Sequence, residues 1–416
     1  MQTQNQKGMT EMGKSRLSLR LADLTRFAPR SAITVAALLA FSVACGGGGA
    51  GSGAGDAATN AGTKDTVNAG ADDAYLTMAK EYIAKVTAPG TPWTGPTTGP
   101  QAQGRKLIVY VSSDQRNGGP QGAGDGAQEA AKVIGWDLRI LDGQGSVQGR
   151  LTALNQAIAL KPDAIILGNV DTLEQAPAIQ KASTLGIKVV GWHAAAAPGP
   201  VQGQPVITNV TTDPREVARA AALYAVVDSN GTASVILFKD SITTISTAKT
   251  DTAAEVIKGC AGCKVLAIDD TPMGDLANRM ASLTTSLLTK YGKAWTYSIA
   301  VNDLYFDFSA PSLQSAGVNP ADGYPRQISS GDGSVTAFQR IRQRRYQIAT
   351  VAEPLRLQGW MCIDELNRAF AGQPPSGFVP PPHLFIASNL DRDGGQNNVF
   401  EPENGYKDIY KRIWGK

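Results

Sequence analysis

An α/β protein built of two doubly wound parallel-sheet lobes is the fold this sequence predicts, and three observations predict it. Short, continuously apolar runs recur from residue 107 to residue 353, as strands buried on both faces require. Segments of helical periodicity with readable caps separate those runs. The strand-like runs fall into two series of five within 416 residues, too many for one small sheet and too long for one core.

The chain opens with an address. Residues 1–30 are basic and SAITVAALLAFSVA (31–44) is apolar and uncharged. Fourteen residues are too few to cross a hydrocarbon core, which needs about 20. A basic segment, a short apolar run and small residues make a secretory signal over 1–44. Cys45 follows Ala44 in SVAC, which resembles a lipobox with Ser42 where leucine is usual, and is expected to carry the lipid. GGGGAGSGAGDAATNAG then begins a flexible tether, assigned to 45–72. The address also explains the net charge of +3: six cations and two acids put +4 in the first thirty residues, so the rest carries 3 − 4 = −1. Without a basic face, nucleic acid is no partner.

The next segment, 73–104, is a helix and a linker. DAYLTMAKEYIAKVT (73–87) places Tyr75, Leu76, Ala79, Tyr82, Ile83 and Val86 on one face, and APGTPWTGPTTGPQAQG forbids regular structure until Arg105. The first strand series is LIVYV (107–111), DLRIL (137–141), AIILG (164–168), IKVVG (187–191) and VITNV (206–210). Pro120 and Gly135 bound one helix, Ser146 precedes another, Gly186 ends a third, and Asp213-Pro214 opens the next. The second series is ASVILFK (233–239), KVLAIDD (264–270), WTYSIAVND (295–303), YPRQISS (324–330) and YQIATVAE (346–353). Lobes of 105–211 plus 354–385 and of 212–353 plus 386–416 follow. Cys260 and Cys263 in KGCAGCKV lack the partners of a zinc site; in an exported chain a local disulfide is expected. Cys362, in GWMCI, is expected to be a buried thiol, and Trp136 and Trp360 core.

Ligands of open α/β sheets bind outside the strand carboxyl ends. Those ends carry Ser112, Ser113, Asp114 and Asn117, then Asn169, then Trp192-His193; in the second half Asp240, Asn302-Asp303, Asp332 and Glu353. Short carboxylates, amides and an indole suit a sugar: acceptors for hydroxyls and an aromatic face for C–H bonds. Asp and Asn also cap helices and shape turns, so any one of them taken singly reads as structural.

The alternation from 105 to about 390, with GDGAQEAAKVIGWDLRILDGQG after the first strand and AVND before a helix, resembles the periplasmic sugar-binding family, type I solute receptors of ABC importers of the ribose-binding kind. The resemblance implies two lobes joined by three hinge crossings, near 210–213, 352–355 and 384–388. It implies ligand contacts at Asn117, Asn302, Asp332 and Glu353, the last where the family usually has glutamine. Trp192 and His193 stand where the family has an Asp-Arg pair, with Trp192 offering the stacking face that Gly118, Gly119 and Pro120 withhold; Lys249 matches a basic residue early in the second lobe. The implied function is a monomeric, lipid-anchored receptor outside the cytoplasmic membrane that hands a small polar solute, a sugar above all, to an ABC permease. No cofactor, metal or catalytic residue belongs to this reading. A receptor feeding a membrane sensor has the same sequence requirements. GGPQGAGDG imitates a dinucleotide fingerprint, but Ser112–Asn117 intervene between strand and first glycine. An exported hydrolase using Asp332 and Glu353 lacks any GxSxG or HExxH.

Overall fold

In the computed structural model, residues 62–90, 92–393 and 397–416 are described. The chain divides into Met1–Ala58, outside the described residues together with the signal and Cys45, and one compact unit, Thr59–Lys416.

Helix α1 (Gly62–Val86) comes first. It takes in the last eleven residues of the expected tether, because GTKDTVNAGAD is free of proline and less glycine-dense than what precedes it. Its apolar stripe buries Ala79, Ile83 and Val86. Tyr75 donates to the Val256 carbonyl (2.7 Å) and Tyr82 to Glu216 (2.9 Å), which fixes α1 on the second lobe.

The first sheet contains β1 (Leu107–Ser112), β2 (Asp137–Asp142), β3 (Ala164–Gly168), β4 (Lys188–Trp192) and β5 (Asn209–Val210), in the parallel order β2-β1-β3-β4-β5. Its crossover helices are α2 (Gly118–Ile134), α3 (Val147–Ala159) and α4 (Ala176–Thr184). The strand period of two divides the core: Ile108 and Tyr110 pack under α2, Val109 and Val111 under α3 and α4. The caps lie where the sequence puts them. Asn117 accepts from Gly119 N at the start of α2, Gly135 closes it in the left-handed region, and Ser146 accepts from Gly149 N.

The second sheet contains β6 (Ser234–Lys239), β7 (Lys264–Asp270), β8 (Tyr297–Ala300), β9 (Arg326–Ser329), β10 (Gln347–Ala352) and β11 (His383–Ile386), ordered β11-β10-β9-β8-β6-β7. It is parallel except where β11 runs against β10. Helices α5 (Pro214–Asp228) and α6 (Thr244–Gly259) cover one face with α1. Helices α7 (Leu276–Tyr291) and α8 (Leu304–Ser315) cover the other, and α9 (Val335–Arg342) lies by Phe385. Cys260 and Cys263 are joined in a disulfide just beyond α6, and Cys362 is a buried free thiol whose pKa burial raises far above the usual value.

Two domain boundaries need correction at the C-terminal end. Helix α10 (Leu355–Phe370) packs on α2 in the first lobe, as expected, but His383–Ile386 joins the second sheet instead of staying with 354–385. The reason is the apolar edge that β10 would otherwise leave unpaired. Helix α11 (Tyr406–Trp414), expected in the second lobe with 386–416, returns to the first. Its face of Tyr406, Tyr410, Ile413 and Trp414 docks on α10, where Trp414 stacks on Trp360 (5.4 Å). The third crossing therefore precedes His383, and a further one follows Ile386. The first two fall where expected, between β5 and α5 and between β10 and α10. The described residues of the 88–104 linker have no regular structure, yet Asn367 and Arg368 of α10 bind its carbonyls at Pro100 and Thr98.

Candidate functional site: the cleft between the sheets

The lobes meet with their strand carboxyl ends facing one another. Thr244, at the start of α6, donates from both N (2.7 Å) and Oγ1 (2.6 Å) to Asp171 of the first lobe. A Cβ on Gly119 would fall on the Asp332 carboxylate, and one on Gly274 on the Gly145 carbonyl. Side chains are thus excluded at these two close approaches of one lobe to the other.

Two chambers lie inside. The outer, of about 260 Å³, is lined by Ser113, Asp114, Asn117 and Arg150 from one lobe and by Asp240, Thr243, Met273 and Asp275 from the other. The inner, of about 20 Å³, is lined by Asn169, His193, Ser246, Lys249, Asn302 and Asp332, among others. Asn169, Thr243 and Met273 border both.

The first lobe reaches the inner chamber through Asn169 and His193, directly after β3 and β4. Both have positive φ (59° and 51°), a conformation that turns the side chain off the strand line and that Asn and His tolerate better than most. His193 Nε2 pairs with Glu353 Oε2 at 2.9 Å, and its Nδ1 lies 4.0 Å from Asp332 Oδ1. Behind it Trp192 is stacked at 3.9 Å and only 8° from parallel. The indole is fully buried and donates to Gln358 Oε1 (2.7 Å). That corrects the expectation of a stacking face: the alternation of β4 points Trp192 with Val190 into the core, so the indole lines neither chamber, and the positive φ of His193 lays the imidazole back over it.

From the second lobe, Lys249 on α6 donates to the carbonyls of Ser330 (2.6 Å) and Val301 (3.4 Å) and lies 3.7 Å from Glu353 Oε1. Glu353 itself ends β10 at the hinge. Its Oε2 also accepts from Gln358 Nε2 (3.0 Å) and from Thr212 N (3.3 Å), the other hinge crossing. Its Oε1 has no hydrogen-bond partner among the described residues. Burial pushes the Glu353 carboxyl up, but His193, Lys249 and Gln358 outweigh it and hold the group at about 2. At Asp332 the balance is reversed. Burial dominates and raises it to about 6 against the pull of Lys249 and His193.

The remaining strand-end groups spend themselves on backbone. Asp303 Oδ2 accepts from the N–H groups of Asp332, Gly333 and Ser334, and so shapes the loop that presents Asp332. Asp240 accepts from Ile242 N and Met273 N, and Asp114 binds Arg116. Asn117 caps α2 through Oδ1 while its Nδ2 faces Met273 Sδ at 4.0 Å. Asn302 likewise turns Nδ2 to that sulfur, at 3.0 Å.

Of the seven residues expected around a ligand, His193, Lys249, Asn302 and Asp332 border the inner chamber and Asn117 the outer. Glu353 stands behind His193 and Lys249, and Trp192 behind His193. Sequence reasoning missed Met273 and Thr243. Both follow a strand carboxyl end closely, β7 and β6, and that position was the available signal. His193, Asp332 and Glu353 offer ligand atoms within 4.8 Å of one another, the geometry of a metal triad. Lys249 already supplies positive charge there, so the donor set fits an ion-pair cluster better than a cation site.

A family model described as periplasmic binding protein domain matches residues 108–374. The chain belongs to that family. The matched span of this periplasmic binding protein covers both sheets as far as β10, together with α10. Solved structures share its fold. An ABC transporter solute binding protein from Agrobacterium vitis with bound allitol is 20% identical over 69% of this chain and 97% of its own, with a TM-score of 0.59. A glucose-galactose binding protein from Geobacillus stearothermophilus is 18% identical over 69% and 99%, at 0.60. An ABC transporter solute binding protein from Mycobacterium smegmatis with bound glycerol is 18% identical over 71% and 99%, at 0.61. No curated protein matches the chain.

Proposed function

We propose that this periplasmic binding protein is an exported, lipid-anchored receptor that captures a sugar or polyol between its lobes and delivers it to an ABC permease. One observation carries the reading. Polar side chains from the first lobe (Asn117, Asn169, His193) and the second (Lys249, Asn302, Asp332) converge on connected chambers enclosed at the strand ends. A ligand bridging the two faces has affinity for the closed arrangement that it lacks for separated lobes, and that difference drives closure. Relatives of the same fold are described with allitol, glycerol and glucose or galactose, and the groups of this cleft are those that bind hydroxyls. The signal and Cys45 supply export and anchor by the sequence reading.

The placement of the two carboxylates supports binding without turnover. Glu353 is sealed behind His193 and Lys249 and cannot flank a glycosidic bond together with Asp332. The test is a thermal-unfolding screen against allitol, glycerol, D-galactose, D-tagatose, L-arabinose and myo-inositol. A ligand at 100 times its dissociation constant adds about 2.7 kcal/mol and raises Tm accordingly. A panel that leaves Tm unmoved throughout, or hydrolysis of a bound glycoside, overturns the reading.

A further inference from the structure

The two amides that face each other across the cleft do not meet empty space. Met273 stands between them, with Sδ 3.0 Å from Asn302 Nδ2 and 4.0 Å from Asn117 Nδ2. The amide nitrogens are therefore at most 3.0 + 4.0 = 7.0 Å apart, one on each lobe. The backbone of Met273 is fixed: its N–H is held by Asp240 Oδ2 (3.0 Å), and residues 273–275 form a single 3₁₀ turn. The side chain borders both chambers and partitions them.

A thioether is a weak acceptor, so two amide donors aimed at it are poorly served. Hydroxyl oxygens at the same place bind both better. Methionine is also the side chain most easily moved aside, being unbranched with three rotatable bonds. No Phe, Tyr or Trp lines either chamber among the described residues, so no rigid ring competes for the position.

We propose that Met273 is a plug holding the ligand's place between Asn117 and Asn302, and that its displacement sets which ligands the cleft admits. Admitted ligands carry neighbouring hydroxyls that engage both amides at once, one from each lobe, in exchange for the sulfur. The proposal rests on the cleft being a sugar or polyol site, and it adds the residue that gates that site.

Calorimetry of wild type, M273A and M273F against the same six compounds tests it. In M273A the ligand has nothing to displace, and affinity for the best-bound compound rises about tenfold. In M273F a rigid ring fills the gap, and affinity falls at least tenfold while ligand-free Tm reports on folding. If M273F does not fold, M273A decides alone. A compound bound by M273A and refused by wild type supports the plug most directly. Unchanged or weaker binding in M273A, with wild type binding normally, overturns the plug and leaves the receptor reading intact: Met273 would then pack against the ligand. Failure of every compound on every protein overturns both.

Discussion

The outer and inner chambers hold the same kinds of residue and use them differently. In the outer one, Asp240 is saturated by the N–H groups of Ile242 and Met273, and Asp114 by Arg116; these carboxylates fix turns. At the inner one, Asp332 faces His193 across 4.0 Å and, among the described residues, no hydrogen bond reaches its carboxylate oxygens, while Glu353 stands behind, paired with His193 and Lys249. Asp303 links the two classes, since its three backbone bonds hold out the loop that carries Asp332. Strand-end acids thus sort by what satisfies them. Those that bind backbone build the cleft, Glu353 is tied to side chains behind it, and Asp332, at the chamber wall with unfilled acceptor capacity, awaits a partner.

The comparison breaks if the builders and the binder respond alike to mutation. Glu353→Ala should have the largest effect. It strands Lys249 without its buried counter-charge, leaves His193 Nε2 unpaired and frees Gln358 and Thr212 N, at a cost of about 3–5 kcal/mol in denaturant unfolding. Asp303→Ala should cost about 1–3 kcal/mol, because three backbone N–H groups and Gln347 lose their acceptor. Asp332→Asn should behave otherwise. Its raised pKa means that burial penalises the charge, so near neutral pH replacing it with a neutral amide should leave stability unchanged or raise it. Affinity for the bound sugar should fall about 10- to 100-fold, the value of a hydrogen bond to a charged group. Loss of stability in Asp332→Asn equal to that in Glu353→Ala would erase the distinction.

The fold was almost wholly legible because parallel strands buried on both faces leave continuous apolar runs, and all ten expected runs form strands, VITNV only over Asn209–Val210. His383–Ile386 escaped notice: four residues after PPP carry too short a pattern to separate a strand from a hinge. Helix α11 went unread within 386–416, and nothing in YKDIYKRIW states which lobe it covers. The cleft was legible by position. The rule that ligands bind beyond strand carboxyl ends led to His193, Asn302 and Asp332 at the inner chamber and Asn117 at the outer. It could not rank them, since depth behind the surface depends on neighbours remote in sequence. Trp192 is hidden by its bond to Gln358, 166 residues on, and Glu353 by His193, 160 residues before it.

The smallest expected effect is also the sharpest separation of the two inner carboxylates: their pH dependence runs in opposite senses. Glu353, held at about 2, contributes stability that is present above the unfolded value of 4.5 and is lost as pH falls toward 2. Asp332, raised to about 6, binds its proton more readily folded than unfolded, so its contribution falls as pH rises from 3.8 through 6. Between pH 5 and pH 8 Glu353 stays ionised and Asp332 alone of the pair changes charge. Ionised, Asp332 accepts ligand hydroxyls on both oxygens; protonated, it loses part of that capacity. Sugar affinity should therefore be flat above pH 7 and about tenfold weaker at pH 5, one unit below the Asp332 midpoint, a difference of about 1.4 kcal/mol. His193 and Lys249 face the same carboxylate, so the profile must also be measured in Asp332→Asn, where the decline should disappear. A decline that persists in that variant would remove Asp332 from the ligand's hydroxyls.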